Sequence, residues 1–311
     1  MRWFGFMAAA AAVTLAHPVD ATGRPPRAPL PSATFESPAA PEFAPGRSRP
    51  HAPRRIVSLN LCTDEVLIDL VDRSRIAAVS HLAADAQVSA IVPRAIGIPS
   101  TRGEAESVLA FDPDLVLAGT FTTPATLALL ERVGRTVVRV PMASDLVGIR
   151  AAIAQIAAAV GETARGAALI ADLDRRLAAA ADPSPAPAPS ALVYQVNGLS
   201  AGPDSLADAL IRAAGLRNHA ATLGLGAGGG LALEVLAAHP PDLMVLSGPF
   251  DEYRTVVADN LRHPALTSVL AARASVVVPW RLWLCGTHYV AEAVERLAEA
   301  RRQLQRHRRT P

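Results

Sequence analysis

From residue 54 onward, short runs of β-branched and aliphatic residues alternate with longer amphipathic stretches. Arg55-Ile56-Val57-Ser58-Leu59-Asn60 reads as a buried strand, and a helix follows over 64–71. Residues 76–80, 115–118 and 137–140 give three further strands, with a helix over 124–133 between the last two. The second half repeats the habit, with strands over 191–196, 242–246 and 275–278 separated by helical stretches. Alternation of this kind implies parallel sheets covered by helices on both faces. The expected fold is α/β, with two Rossmann-like parallel-sheet lobes.

The halves also match in sequence. Glu106-Ser107-Val108-Leu109-Ala110-Phe111-Asp112-Pro113-Asp114-Leu115 lies without gaps on Glu234-Val235-Leu236-Ala237-Ala238-His239-Pro240-Pro241-Asp242-Leu243. Each copy reads as a short helix, a Pro-Asp turn and a strand, with Pro ending the helix and Asp capping the turn. Between the halves, residues 162–181 form an unbroken helical run. Gly161 closes the preceding helix, Thr163 is a fair N-cap, and the proline-rich stretch from Pro183 to Pro189 stops the new helix. At 1.5 Å per residue this is a rod of roughly 30 Å, about the width of one lobe. Two lobes on one stiff spine place a ligand cleft between them, at the carboxyl ends of the strands.

The resulting division is an N-terminal lobe over 54–160, a spine over 161–182, a connector over 183–189, a C-terminal lobe over 190–302 and a basic tail over 303–311. Arg2 and the apolar run over 3–16, followed by small residues, read as a secretory signal over 1–21, too short for a membrane span. Residues 22–53 hold nine prolines and few large apolar residues, so they read as a flexible tether. The first cysteine, Cys62, lies far beyond any cleavage point, which argues against a lipoprotein. Export to the periplasm is the expected address.

Length and composition fit this layout: 311 residues, half of them apolar, suffice for about two domains. Thirty basic residues, all Arg, face 28 acidic ones and are interleaved with them, so the net charge of +2 marks no nucleic-acid surface. The one basic cluster, Arg301, Arg302, Arg306, His307, Arg308 and Arg309, reads as the solvated end of the last helix.

The strand–turn at 56–60, the Glu106 to Leu115 segment, the spine, Gly215-Leu216-Arg217-Asn218 and the closing stretch from Gly286-Thr287-His288 to Leu297 together resemble one group of proteins. They are similar to the periplasmic binding proteins of the ferric-siderophore and vitamin B12 importer family, whose lobes are bridged by a single helix. The resemblance implies a monomer that captures an iron chelate such as a siderophore or haem, or a corrinoid. It also implies delivery to an ABC permease with its ATPase, with no enzymatic activity and no resident cofactor. In that family an exposed Glu on each lobe pairs with permease arginines, which points to Glu106 and Glu234. Two carboxylates on opposite lobes suit a two-fold pair of cations.

Cleft-lining candidates come from the loops after the strands. In the first lobe they are Asn60, Cys62, His81, Arg102 and Phe121; in the second they are Tyr253, Arg254, Trp280, Trp283 and Cys285. Aromatics are only 4% of the chain, yet Trp280 and Trp283 share one loop and suit stacking on a flat ligand. Arg102, Arg254 and Arg281 offer pairing to anionic groups. Cys62 and Cys285 have three readings: thiols touching the ligand, an interlobe disulfide, or a soft metal site with His81 and His288. Because a bond across the lobes would clamp a cleft that must open, the expectation is thiols that are reduced or only reversibly oxidised. The chain lacks G-x-S-x-G, a Walker loop and H-E-x-x-H. The glycine-rich stretch from Gly224 to Gly230 follows no strand and reads as an unstructured connector. An exported metal-dependent enzyme, or a ligand sensor, is the rival reading, and it rests on Cys62, His81, Cys285 and His288.

Overall fold

The computed structural model of the chain describes residues 52–182, 187–248 and 263–309. The expected signal and all but the last two residues of the expected tether, and with them Tyr253 and Arg254, lie outside the described residues. The first series of apolar runs forms five parallel strands: β1 (Ile56–Ser58), β2 (Ile76–Ser80), β3 (Ser100–Thr101), β4 (Leu115–Gly119) and β5 (Thr136–Val140). Their spatial order is β3-β2-β1-β4-β5. β1 is central, with Ile56 opposite both Ile76 and Leu115, and is buried on both faces. That double burial is why it reads as a continuous apolar run rather than an alternating one. The chain leaves β1 toward β2 and β3, then returns to lay β4 on its other side. The crevice between β1 and β4 is therefore a topological switch point.

Five helices accompany these strands: α1 (Leu61–Leu70), α2 (Val92–Ala95), α3 (Ala105–Leu109), α4 (Pro124–Arg132) and α5 (Leu146–Ala159). α6 (Thr163–Ala180) then runs 18 residues, about 27 Å at 1.5 Å each. Its N-cap is Glu162 rather than Thr163, and Gly161 at φ +77° makes the left-handed turn that closes α5. The second sheet is also parallel, in the order β11-β10-β6-β8, built from β6 (Ser190–Val193), β8 (Arg217–Asn218), β10 (Leu243–Leu246) and β11 (Ala274–Val277). Its helices are α7 (Leu206–Ala213), α8 (Leu233–Ala238), α9 (Pro264–Ala272) and α10 (Val290–Arg309). Among the described residues no helix is long and apolar enough to cross a membrane.

Three expectations change. The glycine-rich stretch is not an unstructured connector: β9 (Gly229–Gly230) pairs antiparallel with β7 (Leu199–Ser200), and Gly202 N donates to the Gly226 carbonyl. The Pro-Asp carboxylates do not cap their own turns. Asp114 accepts from the amides of Arg54 and Arg55 at 2.7 and 3.0 Å, and Asp242 accepts from the Ser190 amide at 2.8 Å. Each one fastens the start of β4 or β10 to the start of the neighbouring central strand, the same device in both halves. Finally, the basic cluster does lie on the end of the last helix, since α10 continues through Arg309, but it is not solvated throughout. Within the cluster, Arg301 is buried and pairs with Asp182 at 3.4 Å, while Arg308 pairs with Asp242.

The two sheets share one hydrophobic core. Leu67 of α1, Ile149, Ile153 and Ile156 of α5, Leu173 and Leu177 of α6, and Val290, Val294 and Leu297 of α10 belong to a single buried cluster. Ion pairs fasten α6 to both halves: Arg150–Asp174 from α5 at 2.6 Å, and Arg176–Glu295 from α10 at 2.7 Å. All four side chains are partly exposed, so each pair contributes at most about 1 kcal/mol and the apolar core carries the joint.

Candidate functional site

The turn from β1 into α1 is built for close packing. Asn60 is the N-cap of α1 and accepts from the Cys62 amide at 2.9 Å, while Thr63 donates to the Asn60 carbonyl at 2.8 Å. The capped Asn60 side chain lies over Gly119 at the end of β4. A Cβ at that glycine would come within 2.5 Å of Asn60 Cγ, so only glycine fits. These residues frame the switch point between β1 and β4.

A pocket of about 170 Å³ opens there. Asn60, Cys62 and Thr63 form one wall, and Gly119, Thr120 and Phe121 after β4 form another. Val140, Pro141, Met142 and Ala143 after β5 close a third side, with Ala152 and Ile156 of α5 behind them. Leu82 stands at the edge after β2, and Leu284, Cys285 and Gly286 arrive from the second half. Phe121 is 77% exposed and Met142 56%, an unusual state for large apolar groups. With Leu82 they make an apolar mouth at the carboxyl ends of three parallel strands.

Beside the pocket the two halves meet in fixed contacts along α1. Cys62 and Cys285 form a disulfide, with Cα atoms 5.1 Å apart. This overturns the expectation of reduced thiols. The reason is where the bond sits. It joins the halves at a seam already closed by packing and polar contacts, so it does not act as a clamp across an open cleft. At Gly286 a Cβ would stand 2.7 Å from that of Ala143, so the backbones touch there with or without the bond. Thr287 donates to Glu65 at 2.8 Å, while His288 and Tyr289 bond to Asp69 at 2.8 and 2.9 Å.

The proposed metal set fails on the same observation. Its sulfurs are bonded to each other, His288 is held by Asp69, and His81 is exposed in a 3₁₀ turn over His81–Ala84. Among the described residues no group of three His, Cys, Asp or Glu side chains is placed to hold a metal. Of the cleft candidates, Asn60, Cys62, Phe121 and Cys285 line the pocket, whereas His81, Arg102, Trp280 and Trp283 do not. Trp283 is 6% exposed and belongs to the shared core, and Trp280 packs against that core. Past the 3₁₀ turn over Trp280–Leu282, Trp283 enters the core while Trp280 stays half-buried against it, so packing accounts for both. Sequence reasoning missed Leu82, Met142 and Ala152, whereas Leu284 falls in the loop after β11 that it placed at the cleft. The loop after β5 was recoverable, because Pro141 directly follows the last residue of a strand that the sequence itself predicts.

Glu106 and Glu234 hold equivalent places. Each is the second residue of a short helix, α3 or α8, each is exposed, and neither forms an ion pair among the described residues.

Over residues 56–281 the sequence matches the family model described as periplasmic binding protein. The chain belongs to that family. It is 29% identical over 257 residues to a cobalamin-binding protein of Halobacterium salinarum, covering 79% of this chain and 67% of the relative. Among solved structures it is similar to the periplasmic heme-binding protein RhuT from Roseiflexus sp. RS-1 in apo form, with a TM-score of 0.67 and 25% identity, covering 81% of this chain and 98% of that one. It shares its fold with the periplasmic vitamin B12 binding protein BtuF of Vibrio cholerae, with a TM-score of 0.59 and 16% identity, covering 82% of this chain and 98% of that one.

This periplasmic binding protein also buries acid along α1. Burial pushes the carboxyl groups of Asp64 and Glu65 up to about 7, against hydrogen bonds from Ser80 to the first and from Thr287 and the Ala90 amide to the second. Burial also pushes Asp69 up, but hydrogen bonds from His288 and Arg94 outweigh it and hold that group below its usual range. The sign for stability follows. Asp64 and Glu65 stay protonated in the folded chain up to about 7, while the unfolded chain gives up those protons near 4. Their contribution is complete below about 4 and is lost as pH rises toward 7. Asp69 acts in the opposite sense and only below about 4. The protein should therefore melt several degrees lower at pH 8 than at pH 5. Asp64→Asn, which keeps an acceptor for Ser80, should shrink that gap, and thermal melts at the two pH values check it. An equal gap in both proteins would refute the assignment.

Proposed function

We propose that this protein is a monomeric solute-binding component of an ABC importer that captures a metal chelate or corrinoid in the periplasm and delivers it to the inner-membrane permease. The apolar pocket at the β1/β4 switch point, beside the seam of the two halves, carries this reading. A ligand there contacts the ends of several strands at once, and Leu284 to Gly286 bring the second half to the same spot. The cobalamin- and heme-binding relatives make a corrinoid, haem or a ferric siderophore the chemical class to test first. On this reading residues 54–160 and 190–302 act as two lobes on the α6 spine, residues 1–21 direct export, and Glu106 and Glu234 face the permease.

The test is calorimetric titration of the purified protein with cobalamin, haem and a ferric hydroxamate, alongside absorbance spectra of protein recovered from its own periplasm. One of the three should bind with a dissociation constant at or below about 1 μM, some 8 kcal/mol of binding free energy. Absence of binding by all three, with colourless native protein, overturns the proposal.

A further inference from the structure

The pocket differs in kind from a site that holds a whole chelate. Ligand pockets for drug-sized molecules run to about 300–1,000 Å³. At about 170 Å³ this one has room for a single ring or a small fused pair. An apolar cavity of about 150 Å³ is known to stay dry and to accept benzene.

The walls say which ring. Among the described residues the lining contains no ionisable side chain, since Cys62 and Cys285 are tied to each other. Val66, Val140, Ile156 and Leu284 supply apolar surface, and Phe121 and Met142 flank the entrance. The polar groups are neutral. The Asn60 amide oxygen is committed to the Cys62 amide, and the Thr120 hydroxyl already accepts from the Met142 amide at 3.0 Å. A charged group entering here would lose its hydration and meet no counter-charge, whereas a neutral ring would lose only apolar hydration.

Resting on the binding-protein reading above, we propose that this pocket takes one uncharged, flat ring substituent of the ligand, while the ligand's charged and metal-bearing parts stay outside its mouth. The pocket would thus select among chelates by whether they carry a neutral ring that can be inserted. Phe121 and Met142 act as specificity-determining residues at the entrance, because a flat group passing between them exchanges their exposed apolar surface for contact.

Three probes of nearly equal shape separate ring recognition from charge recognition: benzamide is neutral, benzoate anionic and benzamidinium cationic. Titrated into the full-length exported protein and followed by saturation-transfer NMR, benzamide should bind with a dissociation constant of about 1 mM, as expected for so small a ligand. Benzoate and benzamidinium should bind at least tenfold more weakly. Ala152→Phe, which places a phenyl group in the pocket from α5, should abolish benzamide binding. If that variant does not fold, Ala152→Leu serves with a smaller expected loss. The inference is overturned if benzamide does not bind, if all three probes bind alike, or if the folded pocket-filling variant binds benzamide as well as the parent. Titrations with cobalamin, haem and ferric hydroxamate run in parallel keep the two claims apart. If a chelate binds but benzamide does not, the ring pocket alone fails. If benzamide binds but no chelate does, the importer reading fails.

Discussion

Replacing Cys62 and Cys285 together by alanine should lower the unfolding free energy by about 3–5 kcal/mol. The bond spans 223 residues of sequence, and closing a loop of that length in the unfolded chain accounts for about 5 kcal/mol by chain entropy. Residual structure in the unfolded state reduces that figure. Alanine suits both positions, because Cys285 is 2% exposed among apolar neighbours and a serine there would bury an extra hydroxyl. Denaturant melts of the parent, with and without reductant, and of the double variant provide the check. The reduced parent and the variant should coincide, and reductant should not affect the variant. Alkylation of unreduced protein recovered from its compartment should add no label. Two labels per chain would show that the working protein keeps free thiols and that the seam holds without the bond. Ligand affinity should fall as well, because both cysteines line the pocket and the bond fixes its shape.

The second large effect concerns delivery. In the Glu106→Ala, Glu234→Ala double variant, uptake should fall at least tenfold while the dissociation constant for the ligand changes less than twofold. The two carboxylates occupy the same position of equivalent helices and have no ion pair among the described residues, so both can meet external cations. A charge-assisted hydrogen bond contributes about 1.5–3 kcal/mol, so losing two weakens docking by a factor of about 100 or more. Each single variant should be intermediate. Whole-cell uptake of labelled ligand, paired with calorimetry on the purified variants, separates the two outcomes. Loss of ligand binding would place these residues in capture, and unchanged uptake would remove them from docking.

Much of the architecture was legible because it depends on local pattern. Doubly buried strands such as Ile56-Val57-Ser58 announce themselves as short apolar runs. Gly161 marks the end of one helix, and the 18 residues of α6 contain no breaker after Gly166. The repeat from Glu106 to Leu115 and from Glu234 to Leu243 was visible as sequence. Its physical role, a carboxylate fastening two neighbouring strands, required the sheet to be formed.

What the tertiary structure alone decided concerns residues distant in sequence. Cys62 and Cys285 are separated by 223 positions, and nothing local shows that they meet at a packed seam rather than across an open cleft. The tryptophans carried the right chemistry for a flat ligand, but the turn after β11 spends them on the core. The pocket instead draws on Met142, Ala152 and Leu284, whose side chains are unremarkable in sequence and acquire meaning only where strand ends and a helix face converge. Local sequence sets which segments become strands and helices, because hydrophobic period and breakers act over a few residues. Which faces meet is set by the sum of burial over the whole chain, and the site lies where they meet.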